Sequence, residues 1–268
     1  MDFKDRYGPW AIVAGASEGI GRSFARQIAA RGVSCILIAN AGPLEEVAAE
    51  IRAESGVECI SATIDLAAPD ALDRIVAAAG TREVGLYVAN AGGDAATERF
   101  LAADIQTWVR LTQINVMTTM QACHHFGRLM QGRGRGGLLT VNSGACYGGG
   151  SYLAIYTACK AFLLNFAESL WAESRRSGVD VLTIVLDKTD TPNFRRMLEK
   201  LGQPWPSGVA SPDEVARIGL KRLPHGPIHN WGLADDEPGQ AWASAAERRQ
   251  RAAAMSDTVE KLYGKEAP

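Results

Sequence analysis

Ala11-Ile-Val-Ala-Gly-Ala-Ser-Glu-Gly-Ile-Gly21, followed by the apolar-periodic segment Arg22 to Arg31, is the stretch on which the reading of this chain turns. Ala11 to Ala14 reads as a short buried strand and Arg22 to Arg31 as a helix. A strand, a glycine-rich turn and a helix in that order make a phosphate cradle. Glycine lets a ligand approach the backbone, and the helix start offers free N–H groups and a positive dipole. A GxxxGxG string alone is weak; its setting between strand and helix gives it weight.

The alternation continues along the chain. Val33 to Ala39 predicts a second strand, Pro43 to Ser55 a helix with proline in its first turn, Val57 to Ile64 a third strand and Asp70 to Ala79 a helix. Val84 to Val88 reads as the fourth strand, Ile105 to Met130 as a long helix and Gly137 to Val141 as the fifth strand. A helix then carries Tyr156 to about Arg176, Val179 to Leu186 forms the sixth strand, and Ser211-Pro-Asp-Glu214 opens a helix ending at Arg222. A weak seventh strand lies at Pro227 to Trp231, and Gln240 to Tyr263 reads as a final helix with a charged face. The pattern implies an α/β fold: a single doubly wound, Rossmann-type parallel sheet with helices on both faces and ligands at its carboxyl edge. One domain is expected over residues 1–268, with a substrate lid around 187–210 and a helical tail around 239–264.

The reactive side chains gather in Ser143-Gly-Ala-Cys-Tyr-Gly-Gly-Gly-Ser-Tyr-Leu-Ala-Ile-Tyr-Thr-Ala-Cys-Lys160. Tyr156 and Lys160 are four residues apart and share one helix face. Ser143 follows the fifth strand at the edge where such a sheet presents its ligands. A hydroxyl, a phenol and an ammonium brought together make a proton-transfer site for a carbonyl or an alcohol. A free phenol titrates near about 10; an ammonium about 5 Å away, at an effective dielectric of about 20, favours the phenolate by roughly 3 kcal/mol, on the order of two pKa units. Tyr156 then serves as general acid in reduction and general base in oxidation, with Ser143 orienting the substrate oxygen. Tyr and Lys at helical spacing also occur by chance, so the pair draws its meaning from the rest of the chain.

Other polar positions keep two readings. Asn115, inside an apolar helix face, either hydrogen-bonds main chain and bends the helix or holds a water that passes protons to Lys160. Asn90-Ala-Gly92 after the fourth strand suits a loop beneath a bound ribose, and equally an ordinary turn. An acidic residue after the second strand would hold a ribose 2′-hydroxyl and select NAD, whereas an arginine would accept the 2′-phosphate of NADP. Ala39-Asn40-Ala41 is neither, and Asn40 can bond either group. Residues 193–210, with Phe194, Met197, Leu201 and Trp205, read as a mobile substrate lid or as a passively packed loop. Arg133-Gly-Arg135 reads as a solvated loop at the opposite edge.

Composition narrows the classes. A chain of 268 residues with 47% hydrophobic content buries one large core without a second domain. A formal charge of −2 gives no general attraction to nucleic acid or anionic membranes, so a small-molecule ligand is expected. No apolar run approaches the roughly 20 residues that span a bilayer, and Met1-Asp-Phe-Lys-Asp-Arg6 lacks a secretory pattern; a cytoplasmic location is expected. Cys35, Cys59, Cys123, Cys146 and Cys159 are odd in number and lack CxxC spacing, which supports neither a disulfide framework nor a zinc site. His124 and His125 are adjacent and diverge by about 100° on a helix, so no metal is assigned.

Taken together, Gly15-Ala-Ser-Glu-Gly-Ile-Gly21, Asp65, Asn90-Ala-Gly92, Asn115, Ser143 and Tyr156-Thr-Ala-Cys-Lys160 resemble the short-chain dehydrogenase/reductase family in order and spacing, over about residues 8 to 232. The resemblance implies a catalytic tetrad of Asn115, Ser143, Tyr156 and Lys160. It implies dinucleotide contacts at Gly15, Ser17, Gly19, Ile20, Gly21, Asn40, Asp65, Leu66, Asn90, Ala91, Gly92, Tyr156, Lys160, Thr189 and Thr191. The three glycines would lie under the pyrophosphate, with Asp65 facing adenine and Asn90 supporting the nucleotide side.

Arg6-Tyr-Gly-Pro-Trp10, His124-His125, Trp231 and Tyr263 look closest to a branch containing bacterial hydroxysteroid dehydrogenases, which implies a bulky secondary alcohol or ketone as substrate. That branch commonly has Arg where Asn40 and Ala41 stand, leaving NADP(H) narrowly ahead of NAD(H). The family's Pro-Gly after the sixth strand is replaced by Leu186-Asp187, and Asp187 and Lys188 reshape that wall. The expected activity is reversible oxidoreduction, with a non-catalytic dinucleotide-binding regulator of the same fold as the alternative. An epimerase or dehydratase finds little chain beyond the sheet for an extra substrate domain. A homodimer or homotetramer is expected from the resemblance and from Phe162-Leu-Leu-Asn-Phe-Ala-Glu-Ser-Leu-Trp171, whose apolar residues exceed one helix face.

Overall fold

Each short apolar run becomes a strand: β1 Trp10–Ala14, β2 Ser34–Ala39, β3 Cys59–Thr63, β4 Val84–Ala89, β5 Gly136–Ser143, β6 Val179–Leu186 and β7 Ile228–Asn230. All pair in parallel, in the order β3-β2-β1-β4-β5-β6-β7. Parallel neighbours need a crossover, and the helices supply it. A computed structural model describes residues 2–92, 98–149, 152–200, 202–237, 244–247 and 249–250.

Successive strand residues point to opposite faces, so a sheet covered on both sides needs apolar residues throughout, and β1 is buried along its whole length. Ala11 and Val13 pack with α2 Gly19–Ala29, α3 Leu44–Ser55 and α9 Pro212–Arg222. Ile12 and Ala14 face α4 Ala71–Ala79, α6 Thr118–Arg133 and α7 Ala154–Ser174. The strand order reverses between β1 and β4, so the loops after these two strands part above the sheet and leave a crevice.

The structure corrects three expectations and adds one element. The helix expected over Ile105 to Met130 is instead α5 Ile105–Thr112, a π-helical turn Gln113–Met117, and α6. Asn115 lies in that turn, and its Nδ2 donates to the Leu111 carbonyl at 3.0 Å. The Arg133-Gly-Arg135 turn is no free loop. Arg133 donates to the Val84 carbonyl, while Arg135 donates to the carbonyls of Asp5 and Gly8 and pairs with Glu83. These bonds hold a short N-terminal helix, α1 Phe3–Tyr7, against the sheet's amino edge; the sequence reading had no element there. Residues 193–210 begin not as a loop but within α8 Pro192–Lys200. Leu201 lies outside the described residues, as does the expected tail helix except for 244–247 and 249–250.

Candidate active site

β1 feeds directly into the glycine-rich turn, and α2 starts at Gly19. A Cβ on Gly21 would fall 2.0 Å from the Gly15 carbonyl oxygen and 2.6 Å from Asn90 Nδ2, so no larger residue fits without moving the backbone. Asn90 donates from Nδ2 to that same carbonyl at 2.9 Å. The loop after β4 therefore braces the turn after β1 across the crevice. Glu18, at the N-cap of α2, makes no capping bond with its side chain, so it leaves the first N–H groups of the helix uncovered. A cradle that only glycine fills, at the start of an eleven-residue helix, fits a dinucleotide pyrophosphate.

The other expected contacts line the same edge. Asn40 is exposed just past β2, and Gly42 lies against Ser17. Ile20 is half-buried against the core, and the Leu66 carbonyl accepts from Thr118 Oγ1 at 2.7 Å. Ala91 and Gly92 follow Asn90, and Gly92 leaves room for Asn115: a Cβ there would sit 2.3 Å from Asn115 Oδ1. Thr189 bridges to Ala210, and Thr191 Oγ1 accepts the Phe194 N–H at the start of α8. Asp65 carries a partner that the sequence did not announce. Arg110 of α5 grips both its carboxylate oxygens, at 2.9 and 3.0 Å, and Asp65 Oδ1 also accepts the Ala67 N–H. The Arg110 hydrogen bonds hold this carboxyl below its usual range.

Ser143 ends β5, level with Leu186 of β6, and Tyr156 and Lys160 project from the first turns of α7. The structure brings the three together. Ser143 is near enough to the Tyr156 phenol to lower its pKa, and the Lys160 ammonium lies 5.5 Å from the Tyr156 ring centroid. Lys160 is 4% exposed and donates to the Val141 carbonyl at 3.3 Å. Asn142, which the sequence reading passed over, ties the cluster: its Nδ2 donates to the Lys160 carbonyl at 3.1 Å and its Oδ1 accepts the Ser143 N–H at 2.8 Å. The missed signal was an amide at the last buried position before Ser143. Asn115 is buried in the π-helical turn, which packs on α7, and its Oδ1 has no hydrogen-bond partner among the described residues.

The electrostatics differ from the sequence expectation. Burial raises the Tyr156 phenol's pKa, the Ser143 hydrogen bond lowers it, and the net shift is upward. Lys160 does not draw it down as expected, because burial brings the lysine itself down to about 8 and its ammonium faces a carbonyl and the ring. A mostly charged lysine, a protonated phenol and a serine hydroxyl thus share one half-buried recess. They can hold a carbonyl or hydroxyl oxygen and pass it a proton.

Tyr152, just ahead of α7, is the only non-glycine among the described residues with positive φ, at 67°, and Arg99 stacks 5.3 Å over its ring. Strain of this kind clusters at ligand clamps. All five cysteines are buried and free, as core packing requires. Among the described residues no helix is long and apolar enough to cross a membrane.

Known proteins resemble this chain in sequence and in fold. The family model described as short chain dehydrogenase matches residues 9–202. A 7beta-hydroxysteroid dehydrogenase from Clostridium sardiniense is 30% identical over 227 residues, 83% of this chain and 85% of that protein. A structure solved in work on 7beta-hydroxysteroid dehydrogenase stereoselectivity aligns with a TM-score of 0.82 at 24% identity, covering 94% of this chain and 99% of the other. A short-chain dehydrogenase from Sphingobium yanoikuyae in complex with NADPH gives 0.76 at 24% identity over 97% and 96% of the two chains. With its glycine turn, its switch-point crevice and its Ser143, Tyr156 and Lys160 cluster, this chain belongs to the short-chain dehydrogenase family and is an oxidoreductase.

Proposed function

We propose that the protein is an NAD(P)(H)-dependent oxidoreductase interconverting a secondary alcohol and a ketone, bulky or steroid-like, with Tyr156 as general acid and base. The observation that carries this is the convergence at one sheet edge of Ser143, at the end of β5, with Tyr156 on α7 and a buried Lys160 whose ammonium lies 5.5 Å from the Tyr156 ring centroid. The nicotinamide dinucleotide, when bound, supplies or accepts the hydride. In reduction the Tyr156 hydroxyl gives its proton to the substrate oxygen, and in oxidation it takes that proton back. Ser143 donates to the same oxygen and fixes its position. Lys160 holds its charge beside the Tyr156 ring and binds the nicotinamide ribose when the dinucleotide is present. Asn115 holds the π-turn against Gly92, and its unpartnered Oδ1 anchors a water that passes protons to Lys160. Gly15, Gly19 and Gly21 cradle the pyrophosphate, and Asp65 and Leu66 border the adenine side.

NADP(H) stands ahead of NAD(H): no carboxylate follows β2, Asn40 is exposed, and a similarly folded dehydrogenase holds NADPH. A bulky substrate is supported by the 7beta-hydroxysteroid dehydrogenase relative. Residues 1–268 form one domain with its lid around 187–210, working in the cytoplasm as a homodimer or homotetramer. A non-catalytic, dinucleotide-binding role draws on Asp187 and Lys188, both exposed just past β6 beside Ser143. One set of assays separates the two. Tyr156→Phe is expected to cut turnover of a bulky ketone with NADPH by about 10²–10⁴-fold while leaving dinucleotide binding intact. Turnover at the wild-type rate defeats the Tyr156 assignment. Tight NADPH binding without turnover across a broad panel of alcohols and ketones supports the regulator instead.

A further inference from the structure

Arg196, on α8, reaches back 178 positions to Glu18 and grips its carboxylate with both terminal nitrogens, at 2.5 and 3.1 Å. Glu18 occupies an awkward place. It sits at the N-cap of α2, inside the glycine turn, where it brings a negative charge to the helix end that favours anions. Left alone, that carboxylate would compete for the first N–H groups of α2 and repel any phosphate placed there. In the structure it does neither, because both its oxygens face the guanidinium and it makes no capping bond. The neighbouring backbone is seated to match: a Cβ on Gly19 would meet Thr191 at 3.1 Å and Pro192 at 3.6 Å, so the start of α8 rests on the turn itself.

Its neighbour Arg195 is committed elsewhere. Arg195 pairs with Asp190 at 2.6 and 2.7 Å and stacks 5.1 Å over Trp205, which fastens α8 to its own flanking segments. Arg196 alone of the two spans from the lid to the cradle. We infer that Arg196 is a cofactor-positioning residue: it neutralises Glu18 and draws it off the N-terminus of α2, so that the cradle accepts a dinucleotide pyrophosphate. This rests on the dinucleotide reading above and adds a part to it. A consequence is that the lid helix and the cofactor turn share one ion pair, so that disturbing α8 is felt as a change in dinucleotide affinity.

The mechanism differs from a simple clip in the sign of one variant. If the pair only fastened α8, losing either partner would do equal harm. If Arg196 compensates charge, losing Glu18 removes the need for it. Fluorescence titration of NADPH and NADH into the full chain, at low salt and again at high salt, reads the difference for wild type, Arg196→Gln, Glu18→Gln and the double variant. Arg196→Gln is expected to weaken binding by about three- to tenfold, Glu18→Gln to bind as tightly as wild type or more so, and the double variant to return to within about twofold of wild type. The gap between Arg196→Gln and wild type should narrow at high salt, since both residues are partly exposed and screened. Equal weakening in all three variants overturns the inference in favour of a clip. So does unchanged binding in Arg196→Gln, or weaker binding in Glu18→Gln than in Arg196→Gln. A wild-type chain that binds neither dinucleotide overturns the dinucleotide reading and this inference with it. Circular dichroism melts of the same samples check that each variant is folded.

Discussion

A lysine buried without a carboxylate works against the fold that contains it. Lys160 is 4% exposed, and burial takes its pKa from 10.5 to about 8. Its folded value is depressed, so the unfolded chain binds the proton more tightly, and stability rises with pH between about 8 and 10.5. Below that window the penalty is present in full, on the order of 3 kcal/mol, less what the bond to Val141 returns. Lys160→Met, of similar volume and without charge, is therefore expected to melt higher than wild type at pH 7, by about 1–3 kcal/mol of stability. Its advantage should shrink as pH climbs from 8 toward 10.5, and its turnover should be lost. Calorimetry across pH 6.5 to 10 checks this, and a variant that melts lower than wild type at neutral pH counts against it. The sequence made Ser143, Tyr156 and Lys160 legible as a group because helical spacing and a strand end fix where side chains point. It could not give the sign of the Tyr156 shift, which depends on how deeply the phenol is buried and on which atom the ammonium faces. Nor could spacing announce Arg110 on Asp65, or Arg196 on Glu18, since partners 45 and 178 positions apart meet only after folding.

Local pattern read best where one element had one periodicity. All seven strands lie where apolar runs were found, and the glycine turn opens α2 as the strand-turn-helix order required. The reading failed where side-chain chemistry competes with regular hydrogen bonding. In the long helix, Asn115 bonds the Leu111 carbonyl, as one of its two readings expected, but the π-turn that the ladder widens into is encoded by no apolar spacing. In α8, no residue is fully buried and the polar residues outnumber the apolar ones, so a helix pinned by Asp190, Glu18 and Trp205 read as loop. The turn after β1 offers the sharpest test at this level. Gly21→Ala places a Cβ 2.0 Å from the Gly15 oxygen, well inside any tolerated contact. The turn must open to relieve it, which costs about 1–3 kcal/mol or more in stability and displaces the backbone that Asn90 braces. Dinucleotide binding should be lost in a chain that still melts cooperatively, measured by calorimetric titration alongside a thermal melt. Retained affinity would mean that the cradle lies elsewhere.

The order of the sheet puts β1 and β4 side by side and β5 next to them, so the cradle and the Ser143 cluster open on one edge. That arrangement followed from alternation alone, because parallel strands joined by crossover helices admit few topologies. Alternation says nothing, however, about what the outer faces of the helices meet. On α7 the buried side carries Leu163, Leu164 and Ala167, while Phe162 and Phe166 stack at 5.5 Å and remain half-buried. Ala158, Asn165 and Ser169 are exposed on the same helix, and Ile105 and Val109 are exposed on α5, which packs beside it. A homo-oligomer that buries this face would remove the two rings from water and leave the sheet edge with the cradle free. Phe162→Asp places a carboxylate there in place of a ring, and unpaired charge at a buried contact weakens association by about 2 kcal/mol or more. Light scattering at micromolar concentration is expected to give a dimer or tetramer for the wild type and a smaller species for Phe162→Asp. Dinucleotide affinity should stay close to the wild-type value, because Phe162 has no part in the cradle. A wild-type monomer, or a variant that assembles as the wild type does, would leave this face as ordinary surface.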